Sequence, residues 1–324
     1  MKERGKGRKE EGKGRKGERD RGRMNVPDSP ASCHSVSPSR PQPISSSPRL
    51  PVALSPTPPS KRLGQHFLID QRAINRIVDS LNPRPDETII EIGPGRGALT
   101  SQLVTKAGRV IAVEFDRNLM PLLLERFGSL PNFKLVQGDA LLTDFCSEIL
   151  PAQQARLAAN LPYNISTAIL QRLIEQRQCL SEMVLMLQRE VVDRITAFAG
   201  SSDRGYLSVF VEAYCETEKL FDVAPGAFRP APKVWSTVIR LKPRPRLVAL
   251  VKDEKLLWRI VSAGFAQKRK TILNNLRSAT GPLQELIKQH GGASIVLCQA
   301  EVELQRRAET LTLQEWMRIA SLLE

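Results

Sequence analysis

The chain has 324 residues, 41% hydrophobic and 25% charged, a balance that suits one or two folded domains. No stretch approaches the roughly 18 consecutive apolar residues of a membrane span, and no basic-then-apolar leader opens the chain, so a soluble protein is expected. Its net charge of +14 points to a polyanionic partner, of which nucleic acid is the commonest.

Residues 1–60 carry 13 Lys and Arg against 6 Asp and Glu, a net +7, so the remainder carries the other half of the charge. Lys, Arg, Gly and Glu fill the first 23 positions, and Pro and Ser dominate from Pro27 to Ser60. Such a composition buries too little apolar surface to offset chain entropy, so this tail is expected to be disordered. Met24 is an alternative start, and the Ser-rich, acid-poor stretch after it leaves an organelle transit peptide open beside a cytoplasmic location.

From Lys61 the texture changes. Short β-branched runs at 88–91, 109–114, 133–136, 156–159 and 183–187 alternate with helical patterns such as 72–81 and 98–106. That alternation predicts an α/β fold with a doubly wound, mainly parallel sheet. Residues 207–214 and 237–241 read as two further strands with no helix between them, which would make the sheet's far edge mixed. After Lys242-Pro243-Arg244-Pro245 the strand signals stop. Leu256, Leu257, Ile260 and Val261 form an apolar stripe at helical spacing, and Thr312-Leu313-Gln314-Glu315 fits a capping box. The reading is therefore a sheet domain over 61–245 and a small all-helical domain over 246–324. The five cysteines lie far apart with no C-x-x-C pair, so neither a zinc site nor a disulfide framework is expected. A reducing, intracellular setting follows.

Two segments carry chemistry. Glu91-Ile92-Gly93-Pro94-Gly95-Arg96-Gly97 follows a strand and precedes a helix, where glycines let the backbone turn tightly and pass close to a cofactor. Glu114 closes the next strand, 21 residues after Gly93, where an acid would hold ribose hydroxyls. A dinucleotide site would prefer G-x-G-x-x-G, and this loop is G-x-G-x-G. The second segment is Asn160-Leu161-Pro162-Tyr163, at the carboxyl end of the fourth strand of the pattern, where open α/β sheets bind ligands. An adenine N6 is a poor nucleophile because its lone pair is delocalised into the ring. An amide oxygen on Asn160 and a backbone carbonyl, at Leu161 or Pro162, would accept both N6 hydrogens and draw the nitrogen towards tetrahedral geometry. Pro162 stiffens the loop, and Tyr163 offers a face on which an extruded base can stack.

From Lys61 to the C-terminus, the chain resembles the bacterial small-subunit rRNA (adenine-N6,N6)-dimethyltransferases, a family of class I S-adenosylmethionine methyltransferases. The likeness rests on Lys61-Arg62-Leu63-Gly64-Gln65-His66-Phe67-Leu68, the glycine loop, Val113-Glu114-Phe115-Asp116, Gly138-Asp139-Ala140, Asn160-Leu161-Pro162-Tyr163-Asn164-Ile165-Ser166, and Phe228-Arg229-Pro230-Ala231-Pro232-Lys233-Val234.

The resemblance implies a class I (Rossmann-like) fold and cofactor contacts at His66, Leu68, Gly93, Glu114, Asp139 and Asn160, with Asp139 on the cofactor's adenine and Glu114 on its ribose. Many relatives have Asn where this chain has His66. The resemblance also implies that Phe228 faces Tyr163 across a flipped adenine, and that Lys268, Arg269 and Lys270, read as opening a helix, contact RNA phosphates.

The expected reaction is double methylation of N6 on two adjacent adenines near the 3′ end of small-subunit rRNA. The expected enzyme is a monomer acting on a pre-assembled small ribosomal subunit, with S-adenosylmethionine as methyl donor, no metal, and a role in subunit biogenesis. The rival readings are the related large-subunit adenine methyltransferases of macrolide resistance, a nicotinamide dehydrogenase, and an assembly factor in which catalysis is secondary. The segment from Phe265 to Ile272 favours the small-subunit class over the first, and the glycine spacing disfavours the second.

Overall fold

The computed structural model describes residues 65–244 and 251–324. The tail at 1–60, positions 61–64 of the first motif and the expected boundary at 245 lie outside the described residues. In chain order the first half runs β1 (Phe67–Leu68), α1 (Gln71–Leu81), β2 (Thr88–Ile92), α2 (Thr100–Lys106), β3 (Arg109–Glu114), α3 (Met120–Phe127), β4 (Phe133–Gln137), α4 (Phe145–Glu148) and β5 (Ala155–Asn160). Then follow α5 (Ser166–Glu175), β6 (Leu180–Gln188), α6 (Arg189–Ile195), α7 (Tyr206–Tyr214), β7 (Cys215–Val223), β8 (Phe228–Arg229) and β9 (Ser236–Pro243). Five helices close the chain: α8 (Glu254–Gly264), α9 (Ile272–Arg277), α10 (Pro282–Gln289), α11 (Ala293–Gln299) and α12 (Leu313–Ser321).

Seven strands form one sheet in the order β4-β3-β2-β5-β6-β9-β7. The first five run parallel, and β9 is antiparallel to both β6 and β7. Alternation along the strands sorts the core. Ile89, Val110, Ala158, Val184 and Val238 face α1 and α2. Ile90, Ile111, Leu157, Leu185 and Ile239 face the opposite layer, whose apolar cluster continues into α7, α8 and α12. Among the described residues no helix is long and apolar enough to cross a membrane.

The expected far edge is mixed, but its elements differ from the sequence reading. Residues 207–214 lie in helix α7, not in a strand. Leu207, Val209, Phe210, Val211, Ala213 and Tyr214 are all buried, so the run shows no amphipathic period and reads alike as buried strand or buried helix. The edge strand is instead β7, whose exposed Glu216, Thr217, Glu218 and Lys219 hide it from a hydrophobic pattern. Charges on an edge are how sheets avoid pairing with other chains. A second correction concerns cysteine: Cys146 at α4 and Cys179 just before β6 are joined by a disulfide. They are 33 residues apart in sequence, and only the chain's return to the sheet brings them together.

The C-terminal helices behave as their pattern predicts. Leu256, Leu257, Ile260 and Val261 are buried along α8, and Thr312 and Glu315 form the capping box that opens α12. Trp258 on α8 packs edge-on against Phe210 at 5.0 Å and donates its indole N–H to the Tyr214 hydroxyl at 2.9 Å. Gly264 lets α8 approach α12, because a Cβ there would lie 2.3 Å from the buried ring of Trp316. Gly264→Ala is accordingly expected to destabilise the fold by about 1–3 kcal/mol through overpacking. A melting temperature equal to that of the parent protein would show that α12 yields freely.

Candidate active site

The strand order reverses between β2 and β5: the chain moves outward through β3 and β4, then returns to lay β5 on the other side of β2. Ile92 and Ala159 are register partners there, so the two loops leaving these strands stand side by side. Such a reversal opens a crevice at the carboxyl ends of the strands. Gly93 turns out of β2 with a φ of +66°, donates its N–H to Val113 O at 2.9 Å, and comes within 3.9 Å of Asn160 O, measured from its Cβ position. Gly95, at a φ of +59° that disfavours other residues, packs closely on Phe67, whose ring would lie 3.2 Å from a Cβ there.

A cavity of about 300 Å³ lies over these loops, at the lower end of the roughly 300–1,000 Å³ of ligand sites. His66, Leu68, Gly93, Glu114, Asp139 and Asn160 all line it, as do Leu161, Pro162 and Tyr163. The structure thus gathers every expected cofactor position around one space.

Glu114, at the end of β3, is only 5% exposed. One carboxylate oxygen accepts the Gly95 N–H at 3.1 Å and the other accepts the Asp116 N–H at 2.8 Å. Burial raises its pKa, and these backbone donors oppose the shift. Asp139 accepts the Leu141 N–H at 2.9 Å, which fixes the loop after β4.

Asn160 donates its amide N–H to His66 O at 3.2 Å. Its Oδ1 has no hydrogen-bond partner among the described residues and is left as an acceptor. Pro162 O accepts the Ile165 N–H at 3.2 Å, so of the two loop carbonyls Leu161 O is the less engaged. The His66 ring stacks on Tyr163, with centroids 5.5 Å apart and planes at 25°, and its Nδ1 lies 2.7 Å from Pro230 O. The Tyr163 hydroxyl lies 2.6 Å from Ser236 Oγ on β9, and burial raises its pKa.

Three expectations change. Phe228 is 2% exposed, packs in the core facing α1, and does not line the cavity. Its pairing with Leu68 in the β1–β8 ribbon turns the ring inward, and His66 is the ring that meets Tyr163. Tyr163, expected to offer only its face, also has its hydroxyl anchored on Ser236 Oγ. Lys268, Arg269 and Lys270 sit exposed in the turn between α8 and α9; Thr271 caps α9 instead.

Sequence reasoning assigned no role to Glu91, Phe115 or Ser236. Phe115 is 57% exposed on the cavity rim, beside the Glu114 position. Glu91 lies mid-strand between Ala112 and Ala158, whose small side chains leave it space. It is 1% exposed, lines the cavity, and accepts the Thr100 hydroxyl at 2.6 Å. Burial, with a smaller contribution from Glu114, pushes its pKa up to about 8. An acid inside the otherwise apolar run Thr-Ile-Ile-Glu-Ile was the available signal.

With this geometry in place, comparison with known proteins is decisive. The profile of the family described as "Ribosomal RNA adenine dimethylase" matches residues 59–318. The chain belongs to that family. A relative in Hahella chejuensis, "Ribosomal RNA small subunit methyltransferase A", is 44% identical over 260 residues, which are 80% of this chain and 91% of that protein. Among solved structures, a dimethyladenosine transferase from Plasmodium falciparum aligns with a TM-score of 0.64 at 24% identity, covering 78% of this chain and 96% of its own. The 23S rRNA methyltransferase ErmE aligns at 0.57 and 25% identity, covering 79% and 99%. This protein is therefore an enzyme, an rRNA adenine dimethyltransferase with a class I methyltransferase sheet.

Two outcomes follow from the site. Because the folded pKa of Glu91, about 8, exceeds its ordinary 4.5, the folded state favours the protonated acid. Its contribution to stability is full below pH 4.5 and declines as pH rises towards 8, at about 1.4 kcal/mol per pH unit. Glu91→Gln should flatten melting temperature against pH across that window; an unchanged slope would reassign the dependence to other groups. At Tyr163, Ala should slow single-turnover methylation by roughly 5- to 150-fold through lost stacking. Tyr163→Phe should lose less than Ala, because it keeps the ring face and removes only the hydrogen bond between the hydroxyl and Ser236 Oγ. Rates for Phe equal to those for Ala would refute a stacking role, and a fully active Phe variant would refute the anchor.

Proposed function

We propose that the enzyme dimethylates N6 of two adjacent adenines in a loop near the 3′ end of small-subunit rRNA, within a pre-assembled subunit, with S-adenosylmethionine as donor. The observation that carries this reading is the orientation of Asn160. His66 O holds the amide N–H, so Oδ1 is the atom presented beside Leu161 O. Two acceptors so placed suit an exocyclic amine with two hydrogens, and not a hydroxyl or a ring carbon.

The cavity fits the donor on this chain's own chemistry: glycines held at positive φ, which favours glycine, a buried acid at the end of β3, and a second acid at Asp139. S-adenosylmethionine, when bound, supplies an electrophilic methyl group on a sulfonium. Glu114 would take the ribose hydroxyls with the lone pairs that its backbone donors leave free, and Asp139 the adenine amine; His66, Leu68 and Gly93 would shape the rest. Asn160 and Leu161 accept the target's N6 hydrogens and aim its lone pair. Tyr163 stacks on the flipped ring, with His66 as its neighbour. The N6 lone pair would bond to the methyl carbon as the carbon–sulfur bond breaks and leaves its electron pair on sulfur; the ammonium would then lose a proton to solvent, and a second round would give the dimethyl product. Positioning supplies most of the rate, since alignment of reacting groups can be worth about 7–11 kcal/mol.

The small-subunit target is favoured over the large-subunit one by relative identity: 44% to the small-subunit methyltransferase against 25% to the 23S enzyme. The helices over 246–324 are proposed as the RNA-contacting domain, the enzyme as a cytoplasmic monomer, and subunit biogenesis as its setting. Lys268 ties the basic turn to the body of the enzyme by donating to Ser202 O at 2.6 Å, which leaves Arg269 and Lys270 exposed beside it.

Labelled methyl groups should map to two adjacent adenines when the enzyme acts on under-methylated small subunits, and large subunits should stay unlabelled. The reverse pattern would overturn the target. Neutralising Lys268, Arg269 and Lys270 together should weaken RNA binding and reduce its salt slope by up to about 3, with cofactor affinity unchanged. An unaltered slope would return the turn to plain solvated surface.

A further inference from the structure

Beyond the catalytic cavity lies a second cleft on the same edge of the sheet, at the carboxyl end of β6. Gln188, Arg189, Arg194, Lys233, Val234 and Trp235 are among its lining residues. Trp235 is 48% exposed and Val234 42%, a large apolar surface turned towards solvent directly before β9. The cleft adjoins the catalytic loop, because β6 pairs with β5 and Asn160 is in register with Met186, two residues before Gln188.

The segment bearing Trp235 is held at three points. Arg189 donates its backbone N–H to Trp235 O at 2.9 Å. The next residue, Ser236, is the partner of the Tyr163 hydroxyl, and Pro230 O engages His66. The backbone that carries the exposed indole is thus held one residue from Ser236, which anchors Tyr163, so the segment itself needs little ordering when a ligand stacks there.

The charges of the cleft are largely matched within it. Arg194 pairs with Glu190 at 2.9 Å, Asp193 takes Lys219 at 2.6 Å, and Arg189 lies 3.8 Å from Asp222. Asp203 adds one more acid to the wall. Lys233 forms no ion pair among the described residues, and it stands two positions from Trp235. With Lys233 the lining holds three cations against three acids, so the cleft is neutral overall; a flat aromatic face beside a single unpaired cation suits one unstacked base and its phosphate better than a run of duplex backbone.

We propose that this cleft binds the unpaired nucleotide next to the target adenine, its base stacked on Trp235 and its phosphate met by Lys233. The proposal rests on the RNA-methylating role argued above and deepens it: the enzyme would read two successive unstacked nucleotides, one on Tyr163 and its neighbour on Trp235. Trp235 would then help define which adenines are presented, since a base flanked by paired neighbours leaves the indole empty.

The test uses the full chain and a synthetic RNA stem-loop with two adjacent adenines in its loop. Trp235→Ala should raise the RNA dissociation constant by about 5- to 150-fold, and Trp235→Phe should restore most of the affinity. Cofactor affinity and melting temperature should not move, which separates lost stacking from damaged folding. The decisive arm replaces the neighbouring nucleotide with an abasic one: parent enzyme and Trp235→Ala should then bind that RNA alike. Equal binding of intact RNA by both proteins would overturn the proposal and leave the methyltransferase reading standing. A loss that persists on abasic RNA would also overturn it, giving Trp235 a different RNA contact. A loss seen only on whole subunits, and not on the stem-loop, would assign the cleft to a ribosomal protein. No binding of the stem-loop or of subunits by the parent enzyme would remove the RNA reading and this proposal together.

Discussion

The site depends on one topological constraint, the reversal of strand order between β2 and β5. Two parallel strands that are neighbours in the sheet, but distant in sequence, release their loops at the same end. The glycine turn after Ile92 and the Asn160 loop after β5 therefore share one crevice. Nothing in either loop alone would produce the arrangement. The backbone carbonyl that orients the Asn160 amide comes from a third segment, at His66, held in place by the β1–β8 ribbon. With its nitrogen occupied by that carbonyl, the Asn160 amide keeps its oxygen as the free acceptor.

The same crevice concentrates two buried acids, and their environments differ. Glu114 takes two backbone N–H groups, which stabilise charge and oppose the effect of burial. Glu91 has one hydroxyl partner, and burial holds it largely protonated at neutral pH. One cavity thereby contains an acid equipped to accept hydrogen bonds and another that keeps its proton. A neutral Glu91 avoids placing a second full charge beside Glu114, whose field is already among the influences raising its pKa. The cost of burying acids here is a loss of stability at rising pH, as is usual where a site is built for a ligand rather than for the fold.

Much of this was legible in the chain. The five parallel strands, the first helices and the capping box of α12 follow from period and punctuation, and the cavity's lining from two loop motifs placed at strand ends. What escaped has physical causes. Residues 207–214 are buried almost throughout, with only Ser208 and Glu212 polar, and so narrow a polar side carries little helical period. The edge strand β7 is charged on its open positions, so it carries little strand signal. Phe228 sits in a recognisable motif, but whether its ring points to a ligand or to the core is set by the register of a two-residue ribbon. The Cys146–Cys179 contact depends on the chain's return to the sheet, which spacing does not encode.

The mixed edge, the part least visible in the sequence, is also what completes the site. Had the sheet ended at β6, Tyr163 would face solvent on its hydroxyl side. Because β9 runs antiparallel to β6, its first residue, Ser236, arrives at the carboxyl end of the parallel strands, where the catalytic loop is. A parallel strand in the same place would begin at the opposite end and bring its outgoing loop to this one instead. The antiparallel turn-back therefore delivers an entire incoming loop, from Pro230 to Trp235, across the mouth of the crevice. At one end that loop holds the His66 ring and at the other the Tyr163 hydroxyl. The direction of β9 thus sets where Ser236 meets the Tyr163 hydroxyl.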